Sequence, residues 1–596
     1  MYLVVYNIFM NNFKKILKKN NLYIILIFLL SLAITSYFCI PLYNNTLHLG
    51  SDTGFHLTRI QAWRDAILEG IKYPYMWWHA NFDFGYPAPL YYCQLLLFPA
   101  VYLISKGFSL VISYKIYLFL LILAAIFSIG YASKQITKNK LCAIIIAMFI
   151  YLINPHEIIS IFRRSALGEL MAAVFIPICL LGIYYVLYDN HQKWYYLVIG
   201  FSGIVLSHNI SFMLMCIIFL IFIIINIKKL FIEKERLLSI IKAVICAFLL
   251  SLFFTLPMLE GLLNNKMFIN NVDGTSYIKG ITISDIFNFK CDWTIFTNLS
   301  PGPYLLFVPL CGILVKDKKI KNKFIFDCWI IGYVLLFSMT KYFPWQLFKF
   351  MTFMQFSSRL LPLISALLAL SGSYYFSELL SCLKPKFIPL ITITLIILIV
   401  VPTYSSLVIN RDGMFGYTNN MTLDEAYEVL YKSNESGTYY DAQQLSSADY
   451  LPIKNVEYTT YEYYEPSISS SNSINDTSAY MEIDDALIDK STYYHYVFVI
   501  NSNINDNATI GVPRIYYSGY KVNAYQNGEL IKQIKPYADK RNGILRFEAI
   551  KSDAPITYDA YYDISNIQNC SMKISMVSAI IVPIYIIYDC FIRKAK

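Results

Sequence analysis

Charge is scarce in this sequence: Asp, Glu, Lys and Arg together make up 15% of 596 residues. The formal net charge of +10 is therefore not a nucleic-acid signature, because the Lys and Arg fall mostly in short loops between apolar runs. Clustered cysteine and histidine are missing as well. The 12 Cys are scattered singly, most of them inside apolar runs, and the 7 His are dispersed. With no CxxC pair and no Cys/His cluster, structural zinc and a disulfide framework are both excluded as organising devices. A small-residue cleavage site after the first apolar run is also lacking, so that run reads as an anchor rather than a removed signal peptide.

What the chain has instead is hydrophobicity. Apolar residues reach 57% and aromatics 17%, and the mean hydropathy is +0.49. Length alone would suggest several soluble domains; this composition replaces that estimate with a membrane one. Lys14, Lys15, Lys18 and Lys19 form a basic flank expected in the cytoplasm, followed by a first span over about 22–41. The apolar stretch 89–107 is read as a helix lying in the outer interface, with the second span starting near Val111. Taking it as a span would place the basic loop Lys134–Lys140 outside. Further spans are predicted at about 141–154, 167–187, 194–207, 210–227, 239–258, 303–315, 324–340, 359–377 and 387–408, and a last one at 572–592. The expectation is a polytopic α-helical membrane protein of about twelve spans with both termini cytoplasmic.

The domains follow from this register. Residues 1–408 form a transmembrane domain with an outer loop at 42–110, and 572–596 form a C-terminal span with a basic tail. Between them, 409–571 is an extracytoplasmic α+β or β-sandwich domain. Its first part reads as helical around Thr422–Tyr431 and low in complexity at Ser467–Ser473. From about 493 short alternating runs take over: YHYVFVI, PRIYYSGYKVNAY, ELIKQI, ILRFEAI and ITYDAYY. Asn527-Gly528 and Asn542-Gly543 between such runs are strong hairpin signals. The abundance of Tyr fits carbohydrate binding by this domain, and equally a structural or lid role.

The polar residues concentrate at outer helix ends. Asp52, His56 and Arg59 share one helical face at i, i+4 and i+7; a solvated face is the plain alternative. Arg163, Arg164 and Glu169 gather at the outer end of the fourth span. An ionised Glu169 inside the leaflet is expensive unless it is paired or faces a wet cavity, and structural pairing with the arginines explains it equally well. His208 and Asn209 end the fifth span, where a simple polar turn is the alternative. Arg359 opens a span after the aromatic stretch Trp345–Phe356. Its planar, permanently charged fork suits a lipid phosphate, or else it snorkels to headgroups. Tyr86, Tyr91 and Tyr92 lie in a proline-kinked aromatic segment that leads into the interfacial helix. Together these residues describe an acidic, aromatic cavity open to the outer leaflet.

Several motifs occur in a telling order: Ser51-Asp52-Thr-Gly-Phe55-His56-Leu-Thr-Arg59, Gly70-Ile-Lys-Tyr-Pro74, and Gly85-Tyr86-Pro87 through Tyr91-Tyr92. They continue with Ala166-Leu-Gly-Glu169-Leu, Leu206-Ser-His208-Asn209 and Met354-Gln355-Phe356-Ser-Ser-Arg359. The chain thereby resembles the GT-C superfamily of integral-membrane glycosyltransferases. More narrowly, it is similar to the bacterial membrane family labelled "6-pyruvoyl-tetrahydropterin synthase-related". The last motif departs from the aromatic-Pro-Trp-Arg form of that family, with Ser357-Ser358 in place of Pro-Trp. The label implies no pterin chemistry, which needs clustered histidines on zinc. The resemblance implies a bacterial plasma-membrane enzyme that takes sugar from a polyprenyl-phosphate donor and passes it to an envelope glycan, lipid or protein. Asp52 is then the catalytic carboxylate, with His56 tuning it and Glu169 beside it. Arg59, Arg163, Arg164 and Arg359 bind the donor phosphate, and Tyr86, Tyr91, Tyr92, His208 and Asn209 line the cavity. No metal ligand set is assigned; a divalent cation between Asp52 and Glu169 is left open. A lipid-linked glycan transporter would show inverted repeats, and none is seen. A non-catalytic envelope scaffold is the other alternative.

Overall fold

The computed structural model describes residues 22–48, 50–78, 85–265, 280–289, 300–315, 322–412, 416–420, 425, 495–500, 509–539 and 544–592. Among the described residues, six helices are long and apolar enough to cross a membrane: Leu110–Ile136, Leu167–Tyr188, Lys234–Asn264, Ser357–Ser381, Phe387–Val408 and Asn566–Cys590. A seventh candidate is a bent pair, Leu141–Leu152 with Pro155–Arg164, whose axes differ by 48°. Pro155 causes the break. It lacks an N–H and pushes Asn154 into extended backbone (φ −143°, ψ 159°), while the Asn154 side chain accepts the Glu157 N–H to restart the helix.

All twelve predicted spans coincide with helical segments, but twelve crossings do not follow from them. Leu22–Phe38, Asn209–Ile225 and Gly302–Leu314 are shorter apolar helices, and Tyr195–Val205 has 11 residues, about half a bilayer at 1.5 Å per residue. Hydropathy reports apolar content without reporting what covers it. In Ser357–Ser381, 94% of the apolar window is buried inside the protein, against 11% in Phe387–Val408 and 22% in Asn566–Cys590. The first is core, and the other two present their apolar faces outward. The stretch read as interfacial breaks into Ala88–Tyr91 and Leu95–Ser105, too short to cross, with Phe98 and Tyr102 exposed.

Antiparallel strands dominate the C-terminal region. We number β1 (Thr46–His48), β2 (Gly416–Thr418), β3 (His495–Ile500), β4 (Thr509–Ile515), β5 (Tyr520–Gln526), β6 (Glu529–Ile534), β7 (Tyr537–Ala538), β8 (Ile544–Glu548) and β9 (Ile556–Tyr562). One sheet has the order β3-β9-β5-β6, another β4-β8-β7, and β1 pairs with β2. Asn527 (φ +52°) and Gly528 (φ +85°) make the β5–β6 turn where both central residues must be left-handed. The run PRIYYSGYKVNAY is not one strand: it ends β4, turns at 516–519 and begins β5. Asn542-Gly543, Thr422–Tyr431 bar Glu425, and Ser467–Ser473 lie outside the described residues.

The two larger sheets share one buried cluster containing Phe498, Val512, Val522, Leu545, Phe547 and Tyr558. That cluster continues into Trp77, Trp78 and Tyr86 of the outer loop. Trp78 meets Tyr520 edge-on at 5.6 Å, and the Arg514 guanidinium lies 5.5 Å over the Trp78 ring. The final helix follows at once. Ser565 and Gln568 form its capping box, Ser565 also donates to Glu260 at 2.6 Å, and Ser575 bridges to Leu249 and Phe253 of the Lys234–Asn264 helix.

Candidate active site

The turn before the Thr53–Leu68 helix is bonded to the end of the bent pair. Thr53 Oγ1 lies 2.6 Å from Ser165 Oγ and donates to the His48 carbonyl at 3.0 Å. The Arg164 carbonyl accepts from both the Asp52 N–H (3.1 Å) and the Ser51 hydroxyl (3.2 Å). That carbonyl is presented by a π-helical turn, Ser160–Arg164, closed by Ser165 in the left-handed region (φ +59°). Asp52 is the N-cap residue, yet its side chain makes no capping bond. Its carboxylate is therefore not spent on the helix end.

Around it the charges converge. Glu169, in the first turn of the Leu167–Ile183 helix, places Oε1 3.6 Å from Arg164 Nη2 and 3.7 Å from Arg359 Nε. These are ion-pair distances, too long for hydrogen bonds. Glu169 Oε2 and Arg359 Nε and Nη1 are buried with no hydrogen-bond partner among the described residues. Buried polar atoms left so are costly. Asp52 feels the same groups: burial pushes its carboxyl up to about 6, against the pull of Arg164 and with a further push from Glu169. With Asp52 ionised, the carboxylates of Asp52 and Glu169 balance the guanidiniums of Arg164 and Arg359; with Asp52 protonated, two guanidiniums face one carboxylate.

Two further residues reach this cluster. His208, in the turn before the Asn209–Ile225 helix, is held by Ser211 Oγ at 2.9 Å. Burial, then Arg359, lowers its ring to about 4, so it is neutral. Tyr92 crosses Gly168 so closely that a methyl there would sit 1.7 Å from the tyrosine oxygen. Only glycine allows that approach, and it sets Tyr92 between His56 and His208, with ring centroids at 6.3 and 6.2 Å.

The other residues singled out in the sequence lie elsewhere. Arg59 is fully buried; it donates to the Cys93 carbonyl at 2.7 Å, meets His56 Nδ1 at 3.3 Å and stacks 4.1 Å over Tyr92. Its guanidinium thus braces the helix against the Cys93 segment. His56 is buried and kept neutral by burial and by Arg59, and the bond between it and Asp52 runs through the backbone. Arg163 is buried, and its charge acts on His48. Tyr86 pairs its backbone with Trp77 at 2.9 Å in both directions. Asn209 Nδ2 donates to the Tyr91 carbonyl at 2.8 Å, and the Tyr91 ring packs on Gly261. Tyr86, Tyr91 and Asn209 thus build the wall between the outer loop and the C-terminal sheets. Glu157 was not singled out. It is buried behind Glu169 and Arg164 and within their electrostatic reach, and the Asn154-Pro155 break in an apolar run was its signal. Among the described residues, no group of three or more His, Cys, Asp and Glu is placed to hold a metal ion.

No family model matches the chain, and no solved structure matches it. An uncharacterized protein of Lactococcus lactis subsp. cremoris is 26% identical over 367 residues. The aligned stretch covers 56% of this chain and 56% of that relative, about half the length of each.

Proposed function

We propose that the protein is a GT-C-type glycosyltransferase that moves a sugar from a polyprenyl-phosphate donor to an extracytoplasmic acceptor. The observation that supports this most is the Asp52 carboxylate, which makes no capping bond at its helix N-terminus and lies within the electrostatic reach of Arg164 and Arg359, the latter with Nε and Nη1 unpartnered among the described residues. In the proposed reaction the acceptor oxygen bonds to the sugar C1, and the C1–O bond to the phosphate breaks with its electron pair going to the phosphate. The acceptor proton passes to Asp52, which at about 6 is mostly ionised at neutral pH and still able to take it. Arg359, with Arg164, stabilises the charge growing on the departing lipid phosphate. Neutral His208 and the Tyr92 hydroxyl orient the sugar.

The test compares envelope glycans and glycolipids by mass spectrometry in a deletion strain and in the same strain complemented with native protein or with Asp52→Asn at matched abundance. A sugar lost on deletion and restored by native protein alone supports transfer. Restoration by Asp52→Asn would make the carboxylate dispensable and give the transport or scaffold reading the lead.

A further inference from the structure

The outer face of the β3-β9-β5-β6 sheet carries an ordered polar surface that the reaction does not use. Burial alternates along β5 and β9, so Lys521, Asn523 and Tyr525, with Thr557, Asp559 and Tyr561, face away from the shared core. The pairing register sets Asp559 beside Asn523 and Asn523 beside Gln533 in one row across three strands. Asn523 Nδ2 lies 3.2 Å from Tyr525 Oη and 3.4 Å from Tyr561 Oη. Gln533 Nε2 donates to Asn523 Oδ1 at 3.1 Å and approaches Tyr561 Oη at 3.5 Å. Two tyrosine hydroxyls therefore converge on a floor of side-chain amides, and Gln533 is fully open to solvent on the edge strand.

We propose that this face binds a neutral oligosaccharide. Its ionisable groups are engaged with one another: His495 Nδ1 lies 2.9 Å from Asp559, and Lys521 pairs with Asp563. What remains unpaired by charge is a mixture of amide and phenol groups, each able to donate and accept, and a sugar ring presents the same alternation. The Tyr525 ring is half-buried and takes part in no ring stack among the described residues, so it is the ring left to meet the axial C–H groups of a pyranose, whereas Tyr561 is stacked on His495 at 5.0 Å. An anionic ligand would meet Asp559 and find its nearest lysine already paired. The opposite face of this sheet belongs to the buried cluster that continues into Trp77, Trp78 and Tyr86, so a glycan held here lies on the far side of the sheet from those residues. The inference does not depend on the transferase reading, because binding is measured without turnover.

The experiment uses the full-length protein in lipid nanodiscs, titrated calorimetrically with maltotetraose, cellotetraose, chitotetraose and mannotetraose, and with tetragalacturonate as the anionic counterpart. At least one neutral probe should bind saturably. Asn523→Ala with Gln533→Ala should weaken it by about tenfold or more, the loss expected for two or so net hydrogen bonds, and Asp52→Asn should leave it unchanged. Gln533→Leu alone, at an exposed edge position that the fold does not need, should also weaken binding if the double variant unfolds. Failure of all four neutral probes, binding that survives both variants, or equal affinity for tetragalacturonate would overturn the proposal.

Discussion

At Asp52 two effects oppose each other. Burial favours the neutral acid and the neighbouring guanidiniums favour the carboxylate, and burial wins. Transfer at fixed substrate should therefore fall as pH is lowered through about 6, while Asp52→Asn should be slow and flat across that range, as read from initial rates. Stability carries the opposite sign. The folded pKa lies above the unfolded carboxylate value of about 3.9, so between those values the folded state binds more protons. Unfolding free energy should then drop as pH rises through that window, and Asp52→Asn should remove the drop in thermal melts. At Glu169 the cost runs through its partners. Glu169→Gln leaves two buried guanidiniums facing each other and should destabilise by about 3 kcal/mol, while adding Arg359→Gln should recover part of that loss. The carboxylates of Asp52 and Glu169 stand out in the sequence because such groups are rare in so apolar a chain. The contacts of Arg59 do not, because spacing gives a shared face and cannot show that the Cys93 carbonyl holds the guanidinium.

Among the elements, the three-residue strands β1 and β2 have the most leverage on the site. β1 ends at His48, four residues before Asp52, and pairs with β2 from the start of the C-terminal region: Thr46 opposite Thr418, His48 opposite Gly416. Lys115, at the outer end of the Leu110–Ile136 helix, locks the pair. Its ammonium donates to the Asn44 carbonyl at 2.7 Å and to Asn419 Oδ1 at 2.8 Å, while Asn419 is also bonded to Ser109 and to Asn45. Lys115→Met should leave those acceptors unfilled and lower the local opening free energy by about 2 kcal/mol. Faster amide exchange over 44–53 would read that out, and Lys115→Arg should restore most of it. Unchanged exchange would mean that the clasp does not hold the turn. This pairing was invisible in the sequence, since three-residue strands hundreds of positions apart leave no periodic signal. The β5–β6 hairpin was visible, because its turn chemistry and alternation are local and the left-handed pair at Asn527-Gly528 needs nothing distant to enforce it.

For the whole molecule, the open quantity is how many apolar helices cross the bilayer, and sidedness can be tested without fixing that number. Cys382 and Cys570 are both exposed. Among the described residues between them, one helix has spanning length, Phe387–Val408, and 11% of its apolar window is buried inside the protein. After it come the strand-rich region and then Cys570, in the first turn of the final helix. A single crossing puts the two thiols on opposite sides whatever the count elsewhere. By the charge rule, the basic residues Lys384 and Lys386 beside Cys382 predict a cytoplasmic position for that end, with Cys570, β3–β9 and the Asp52 turn on the other side. Variants retaining only Cys382 or only Cys570 should therefore differ toward an impermeant maleimide on intact cells. Cys570 should label at once, and Cys382 only after permeabilisation. Labelling of both thiols on intact cells, or of Cys382 alone, would break this arrangement and with it the extracytoplasmic placement of the site, because the β1–β2 clasp ties the Asp52 turn and the C-terminal region to the same side.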